Sequence, residues 1–188
     1  MPTSISAKAV SSVQIYNGNG YILVTLNDGL NPIVGATVSV NVKGIKIPKT
    51  GKDGKVKIST TGLVPKNYKV TVTYAGDVIH NKKTATVQFT IKKATPKFVA
   101  KAKTFKLADK TKKYVVVFKD NNNKAMKSKL VYIKVAGITY SAKTDAKGQA
   151  TFKLTKLKKV GSFSAGLTFK GDTCYNKCSK AVKIVVKK

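Results

Sequence analysis

The stretch Lys69–Tyr74, KVTVTY, decides the fold, because its polar and apolar side chains alternate strictly. A period of two places alternate side chains on opposite faces of a β-strand, and Val, Thr and Tyr favour that conformation. The strand ends in Tyr74–Asp77, YAGD, and this passage recurs later in the chain as Phe169–Asp172, FKGD. One strand and the turn that follows it are therefore present twice.

The whole chain consists of two copies of one module. Tyr21–Val24, YILV, corresponds to Tyr114–Val117, YVVV, and the closing runs Val87–Lys93 and Val182–Lys188 also correspond. The offset between the copies drifts only from 93 to 95 residues. Self-similarity at a nearly fixed period indicates repeated structural units.

Each copy is predicted to be an all-β domain. Turn-forming pairs such as Asp28-Gly29 and Asp53-Gly54 separate short alternating runs, and no segment suits a helix of about ten residues or more. About seven short strands in some 90 residues are typical of an immunoglobulin-like β-sandwich. Beyond a strand near the start of each copy, the predicted strands cover residues 21–27, 37–43, 45–48, 55–60, 68–75 and 85–92, and residues 114–119, 129–135, 138–143, 149–155, 162–169 and 181–187.

The boundary between the two domains is predicted from a break in the strand pattern. The final strand of the first copy ends in a pair of lysines, Pro96 prevents it from continuing, and a new apolar run begins two residues later. We therefore predict two tandem domains, residues 1–94 and 95–188, with a short linker near residues 93–97. So short a linker predicts that the domains are arranged end to end with restricted bending.

Composition excludes most classes of enzyme. The 188 residues include 37 basic and 7 acidic side chains, for a formal charge of +30, and every basic residue is Lys while every acidic one is Asp. His80 is the single histidine. An acid–base or nucleophilic site would have to be built from Asp, Lys and Tyr alone, which is poor material for such chemistry. We therefore predict a protein that is not an enzyme and that needs no cofactor or metal.

The sequence also carries no signal for membrane insertion. No run approaches about 18 uninterrupted apolar residues, so we expect no segment that spans a membrane. The N-terminal residues Met1–Ser4 lack the basic segment and apolar run of a signal peptide. If the native protein is exported, we expect this chain to be a piece excised from it.

Two passages of the second copy resemble a known family. In Gly137–Phe152, GITYSAKTDAKGQATF, a Thr-Asp-x-x-Gly turn leads into a strand that carries Ala-Thr-Phe. Phe169–Tyr175 follows the pattern Phe-Lys-Gly-Asp-x-x-Tyr. Both passages resemble bacterial-type Ig-like domains of cell-surface adhesins. With so much lysine, the chain is most similar in style to the tandem-repeat adhesin-like proteins of methanogenic archaea.

The resemblance implies a fold and a location, and it implies no ligand site. It covers residues 4–93 and 98–188, although the first copy departs from the pattern at Thr50–Gly54 and has His80 where the second has Tyr175. It implies an extracellular, cell-surface protein that is anchored elsewhere and carries many such modules next to one another. Most repeats in such proteins act as spacers, so the implied function is that of a stalk that contributes to adhesion.

The lysines are shared unequally between the two copies. Residues 1–94 hold 13 Lys and 3 Asp, a net charge of +10, whereas residues 95–188 hold 24 Lys and 4 Asp, a net charge of +20. Such a charge attracts anionic partners, so the second domain is the candidate for binding an anionic cell-surface or wall polymer. The residues predicted to contact this polymer are Lys156, Lys158, Lys159, Lys170, Lys177 and Tyr175.

Nucleic-acid binding and solubility are two alternative reasons for the same charge. Arg, the residue best suited to bidentate contact with phosphate and guanine, is absent, and no recognition helix is predicted. We therefore predict no specific nucleic-acid partner, although salt-sensitive, nonspecific binding to DNA is expected. In the solubility alternative, the lysines keep a tandem β protein in solution and prevent edge-to-edge pairing of its strands. The sequence leaves solubility and polymer binding both open.

Cys174 and Cys178 have no counterparts in the first copy, where Ile79 and Lys83 stand. A turn between residues four apart would bring their Cα atoms within the roughly 7 Å that a disulfide requires. The bond would fasten the loop before the last strand. The alternative is two free thiols, one of which fills an apolar position as Ile79 does. Zinc is disfavoured, because a structural zinc ion requires about four ligands.

Asp77 and Asp172 occupy equivalent positions directly after Gly76 and Gly171. We predict a structural role for these four residues, in which each carboxylate accepts backbone N–H groups within its turn. His80 is predicted to lie in a loop without a functional role. A calcium site requires clustered acidic oxygens, and the sequence shows no such cluster. An internal Lys–Asn cross-link requires a buried Lys and Asn beside an acid, and no specific pair is marked in the sequence.

Overall fold

The computed structural model describes residues 2–188, and all of the regular structure in this part of the chain is β-strand. The chain divides after Lys93 into two compact units, which we call unit 1 and unit 2. The division lies one residue before the boundary expected from the sequence. Within residues 2–188, no helix is long and apolar enough to cross a membrane.

Residues 2–93 of unit 1 form eight strands, because the alternating runs are repeatedly interrupted by turns. Several turns require glycine, as at Gly54, where φ is +65° and a Cβ atom would lie 2.5 Å from the carbonyl oxygen of Leu26. In chain order the strands are β1 (Thr3–Ala9), β2 (Val13–Ile15), β3 (Tyr21–Asp28), β4 (Asn31–Pro32), β5 (Val38–Val40), β6 (Lys55–Ser59), β7 (Asn67–Tyr74) and β8 (Lys83–Lys92).

The strands of unit 1 form two sheets that share one core. β3 pairs antiparallel with β1, β4 and β6, whereas β2, β8, β7 and β5 follow one another in that order in the other sheet. Within the second sheet β2 runs parallel to β8, and the remaining pairs are antiparallel. Inward side chains from both sheets form a single apolar cluster, in which the rings of Tyr68 and Phe89 stack 5.4 Å apart.

Unit 2 repeats this plan with some longer strands. Its strand at residues 130–135 contains six residues, whereas the counterpart β5 contains three. Its hairpin between residues 130 and 143 is complete, because Ala136 and Gly137 both adopt the positive φ that a two-residue hairpin turn requires. In chain order the strands are β9 (Lys97–Val99), β10 (Lys103–Lys106), β11 (Lys113–Lys119), β12 (Leu130–Val135), β13 (Ile138–Lys143), β14 (Gln149–Lys153), β15 (Gly161–Phe169) and β16 (Cys178–Lys187).

The sheets of unit 2 contain three and five strands. The three-stranded sheet has the order β14-β11-β9, and the five-stranded sheet has the order β10-β16-β15-β12-β13. β10 runs parallel to β16, and every other pair is antiparallel. Phe118, which is fully buried, joins the two sheets, because its ring lies 4.6 Å from that of Phe98 and 5.0 Å from that of Phe169. The prediction of an all-β protein is confirmed.

One predicted strand is wrong. Residues 45–48 form no strand in unit 1, although their counterparts in unit 2 form β13. The segment contains Pro48, which has no N–H group to donate to a neighbouring strand. The segment between the matched Gly44 and Thr50 is also one residue shorter than its counterpart in unit 2. The alternation of apolar side chains therefore extends beyond the residues that pair with a neighbouring strand.

The start of unit 2 is bound more firmly than a free linker would be. Ala94 is fully buried, and its N–H donates to the carbonyl oxygen of Cys174 at 3.1 Å. Its own carbonyl oxygen accepts the backbone N–H of Asn176 at 2.8 Å. The side-chain Nδ2 atom of Asn176 donates to Thr95 Oγ1 at 3.1 Å. These residues of the linker expected at 93–97 are therefore fastened to the loop before β16.

Candidate functional site

The loop before the last strand of unit 1 is organised by Asp77. Its Oδ1 atom accepts the N–H groups of Ile79 at 3.0 Å and His80 at 2.9 Å, and its own N–H donates to the His80 carbonyl oxygen at 3.0 Å. Gly76 precedes it with a φ of +86°, and a Cβ atom there would lie 2.6 Å from that same carbonyl oxygen. The turn therefore requires both the glycine and the carboxylate.

The corresponding loop of unit 2 repeats these contacts around Asp172. Its Oδ1 atom accepts the N–H groups of Cys174 and Tyr175, each at 2.9 Å, and its N–H donates to the Tyr175 carbonyl oxygen at 3.0 Å. Gly171 also has a φ of +86°. The contacts in both loops support the structural role proposed for the two glycines and the two aspartates.

His80 lies between two carboxylates, those of Asp77 and Asp28. Its Nδ1 atom is 2.8 Å from Asp77, and its Nε2 atom is 3.7 Å from Asp28 at the end of β3. Asp28 gave no signal in the sequence, because folding alone brings β3 next to this loop. Among residues 2–188, no group of three or more His, Cys, Asp or Glu side chains is suited to hold a metal ion. These contacts indicate that His80 holds the loop in place against Asp28 and Asp77.

The hydroxyl group of Tyr74 completes this arrangement by donating to Asp77 Oδ2 at 2.7 Å. The hydrogen bond with His80, followed by that from Tyr74, holds the pKa of the Asp77 carboxyl well below its ordinary range. Burial, together with the neighbouring carboxylate, raises the pKa of Tyr74 to about 12. At neutral pH the loop therefore holds an ionised Asp77 and a protonated Tyr74 hydroxyl.

In unit 2 a lysine binds the carboxylate of the loop aspartate, as the histidine does in unit 1. Lys129 donates a hydrogen bond from Nζ to Asp172 Oδ2, and the same atom lies 5.4 Å from the centroid of the Tyr175 ring. Burial of Asp172 acts to raise its pKa, but the bonds from Lys129 and from two backbone N–H groups outweigh it and lower the pKa. The residue equivalent to Lys129 in unit 1 is Ala36, which has no charge.

Both cysteines are free thiols in the structure. Cys174 lies in the loop after Asp172, whereas Cys178 is the first residue of β16 and pairs with Phe169. Burial raises the pKa of the Cys178 thiol to about 11, which makes it a poor nucleophile at neutral pH. The disulfide stays a prediction, which the intact masses of the oxidised and reduced protein would test.

The six residues predicted to contact a polymer fall into two groups, one before and one after β15, and their contact with a polymer stays a prediction. Three of the lysines precede β15, two follow it, and the strand between them contains nine residues, which corresponds to about 30 Å. Tyr175 is only 8% exposed. The residues before β15 are Lys156, Lys158 and Lys159, and those after it are Lys170 and Lys177.

Lysines of unit 2 do share one surface, which is the outward side of the five-stranded sheet. We call the outward side chains of β10, β16, β15, β12 and β13 the outer sheet face. On this face Lys134 of β12 lies beside Gly166 of β15, and Lys183 of β16 lies beside Ser164. No acidic residue occurs in any of the five strands. The lysines at outward positions on the five strands are Lys106, Lys134, Lys143, Lys183 and Lys187.

Comparison with known proteins identifies the fold. No protein-family model matches the chain, and a search of curated proteins gives no match. Among solved structures, the titin domains A168–A170 match 98% of this chain at 10% identity with a TM-score of 0.50, and the chain covers 65% of that fragment. Both units are immunoglobulin-like sandwiches.

A second solved structure is a Ca²⁺-stabilised adhesin that helps an Antarctic bacterium to reach out and bind ice. It matches 98% of this chain at 16% identity with a TM-score of 0.37, and the chain spans 49% of its length. Likeness at such low identity concerns the fold and carries no argument about function.

Proposed function

We propose that the chain is a non-enzymatic spacer segment of a cell-surface, adhesin-like repeat protein. The main support is that each unit uses a buried threonine for the same structural purpose. The Oγ1 atom of Thr50 donates to the Ile33 carbonyl oxygen at 2.7 Å and accepts the N–H of Ala36 at 2.8 Å. Thr144 makes the equivalent two bonds in unit 2. A side chain engaged in this way holds a loop and is not available for chemistry.

The single histidine supports the same conclusion. His80 is held between Asp77 and Asp28 with 13% of its side chain exposed. A general base must reach the proton that it abstracts, and this imidazole is directed towards two carboxylates of its own unit. The proposal therefore assigns no catalytic group to the chain.

The location at a cell surface rests on the resemblance of Gly137–Phe152 and Phe169–Tyr175 to Ig-like domains of adhesins. The proposal includes further repeats in the parent protein, an anchor outside this chain and an end-to-end order of domains. An origin among methanogenic archaea is part of the same proposal.

Antibodies raised against the purified chain test this location directly. Cells of the source organism are labelled intact and, as the matched control, after permeabilisation. We expect intact cells to be labelled as strongly as permeabilised ones, and treatment of intact cells with a protease should remove the label. Labelling that requires permeabilisation would contradict the proposal.

A second function, contact with an anionic polymer, is supported by the placement of the lysines in unit 2. All of them are exposed except Lys112, Lys119 and Lys129. Lys112 donates to the carbonyl oxygens of Leu107 and Asp109, so it has a structural use. The other lysines of unit 2, apart from Lys119 and Lys129, present their charge to solvent, where it attracts anions.

A further inference from the structure

We propose that the outer sheet face binds a linear anionic polysaccharide, which lies along β15 between Lys134 and Lys183. The inference rests on the proposed contact with anionic polymers, and it adds the site and the chemical class of the ligand. Its test uses purified components, so its failure would leave the cell-surface labelling unaffected.

The floor of the site is a track of small side chains along β15. Its outward residues are Ser162, Ser164, Gly166 and Thr168, which alternate with buried or half-buried inward ones. A Cβ atom on Gly166 would meet no heavy atom within 4 Å. Neither packing nor a positive φ requires glycine at this place, and glycine weakens a strand. Its absent side chain leaves room for a ligand to approach the backbone.

The walls of the site are two lysines on the strands that flank β15. Lys134 lies directly beside Gly166, and Lys183 lies directly beside Ser164. Their strands are two interstrand spacings apart, which is about 10 Å. A shallow depression lined by Ser164, Ala181 and Lys183 follows the same track. The two lysines are offset by two residues along β15, so they flank the track on opposite sides.

Unit 1 lacks the glycine and both lysines of this site at the equivalent positions of its sheet, although Thr73 stands in place of Thr168 and Lys69 in place of Ser164. Thr71 stands in place of Gly166 and pairs with Thr86, which stands in place of Ala181, so two β-branched side chains occupy the floor. Gln88 stands in place of Lys183, and Asn41 stands in place of Lys134. The shared fold therefore does not require the track and the two lysines, which distinguish unit 2.

The chemistry of the face favours a polysaccharide over a nucleic acid. Serine and threonine hydroxyl groups along the floor can exchange hydrogen bonds with sugar hydroxyls, while lysines pair with carboxylate or sulfate groups. Single-stranded nucleic acids bind through aromatic side chains on which bases stack. Tyr132 is the aromatic residue at an outward position of these strands, and Lys170 Nζ lies over its ring at 4.8 Å.

Binding of the full chain to immobilised polygalacturonate at physiological salt tests the site. The variant Lys134→Gln/Lys183→Gln removes both walls. The control variant Lys113→Gln/Lys153→Gln removes two exposed lysines that pair across the three-stranded sheet of the same unit, so the change in net charge is identical. We expect the first variant to weaken binding at least about tenfold and the control to weaken it by less than about threefold. Equal weakening by both variants would overturn the proposal.

Gly166→Thr fills the floor without changing the charge, and it introduces the residue that unit 1 carries at this position. We expect it to weaken binding to polygalacturonate about tenfold, with an unchanged circular dichroism spectrum and a urea midpoint at or above that of the parent chain. Unchanged binding by this folded variant would overturn the proposal. Neutral dextran is expected not to bind, and tighter binding of single-stranded DNA than of polygalacturonate would overturn the choice of a polysaccharide.

Discussion

Unit 1 and unit 2 hold the same loop before the last strand in two different ways. In unit 1 the carboxylate of Asp77 is bound by His80 and Tyr74, both of which come from the loop and the strand leading into it. In unit 2 the carboxylate of Asp172 is bound by Lys129, which lies just before β12. The backbone turn is the same in both units, so the glycine and the aspartate determine it. The side chain that binds the carboxylate differs between the units.

The two units differ in the same way on their sheets. Inward side chains are apolar in both, because each sandwich must bury them to fold. Outward side chains differ, with Thr71 and Thr86 in unit 1 at the positions of Gly166 and Ala181 in unit 2. Packing therefore restricts the inner positions, whereas the outer positions are free to differ between units and to carry differences in function.

Replacement of the buried threonine is expected to have the largest effect, and an equal one in both units. Thr144→Val leaves the Met126 carbonyl oxygen and the Lys129 N–H without this partner, and Thr50→Val does the same in unit 1. We expect each change to lower the free energy of unfolding of its own unit by about 2–4 kcal/mol.

Hydrogen exchange with mass spectrometry reads the two units separately and measures this loss. Thr151→Val, at an exposed position of β14, is the matched control and should change stability by less than about 0.5 kcal/mol. A large loss in one unit and none in the other would show that the two units do not share one structural framework.

Filling the floor of the outer sheet face is expected to stabilise unit 2. Gly166→Thr places a β-branched residue in a central strand where a Cβ atom has free space, so we expect a gain of up to about 1 kcal/mol. Urea unfolding of the full chain measures it. A loss of stability would mean that the glycine has a role in packing, and the contrast with Thr71 would then concern the fold and not a ligand.

Lys129→Ala gives unit 2 the residue that unit 1 carries at this position. It removes the bond to Asp172 and the contact with the Tyr175 ring, so we expect a loss of about 0.5–1 kcal/mol that diminishes as salt is added. Lys127→Ala, at an exposed position two residues away, is the control. Equal losses for the two variants at low salt would refute the specific role of Lys129.

The smallest effect is expected for Tyr74→Phe, which gives unit 1 the residue that unit 2 carries as Phe169. The pKa of Tyr74 is raised in the folded chain, so the stability that its hydroxyl contributes is fully present below about pH 10. It is lost as the pH rises towards about 12. Urea midpoints of the parent chain and the variant should therefore differ most near neutral pH and converge above about pH 10. A difference that stays constant across this range would contradict the hydrogen bond to Asp77.

Much of the fold could be predicted from the sequence, because alternation and turn residues are local properties. The matched passages around Tyr74–Asp77 and Phe169–Asp172, together with the other passages at nearly the same offset, predicted two copies of one module. The strand at residues 45–48 was wrong, because the missing N–H of Pro48 outweighs the alternating apolar side chains. Local pattern thus identifies which segments can form strands, while pairing decides which of them do.

The candidate site was harder to predict, because it depends on register between strands that are distant in the sequence. The charge difference favours the second copy, but the lysines predicted from the sequence include Lys156, Lys158 and Lys159, which lie before β15. Lys134 and Lys183 lie 49 positions apart in the sequence, on the two strands that flank β15. The one signal for Gly166 in the sequence is its difference from Thr71, which stands at the equivalent position of the first copy.

An NMR titration of the isotope-labelled full chain with oligogalacturonate tests the central claim most directly. The claim is that two units with one framework differ in function because unit 2 alone carries a binding site on its outer sheet face. We predict that amide shifts change most at Ser164, Gly166 and Lys183, while those of Thr71 and Thr86 stay unchanged. Changes spread evenly over the lysines of both units, or centred on the three-stranded sheet of unit 2, would contradict it.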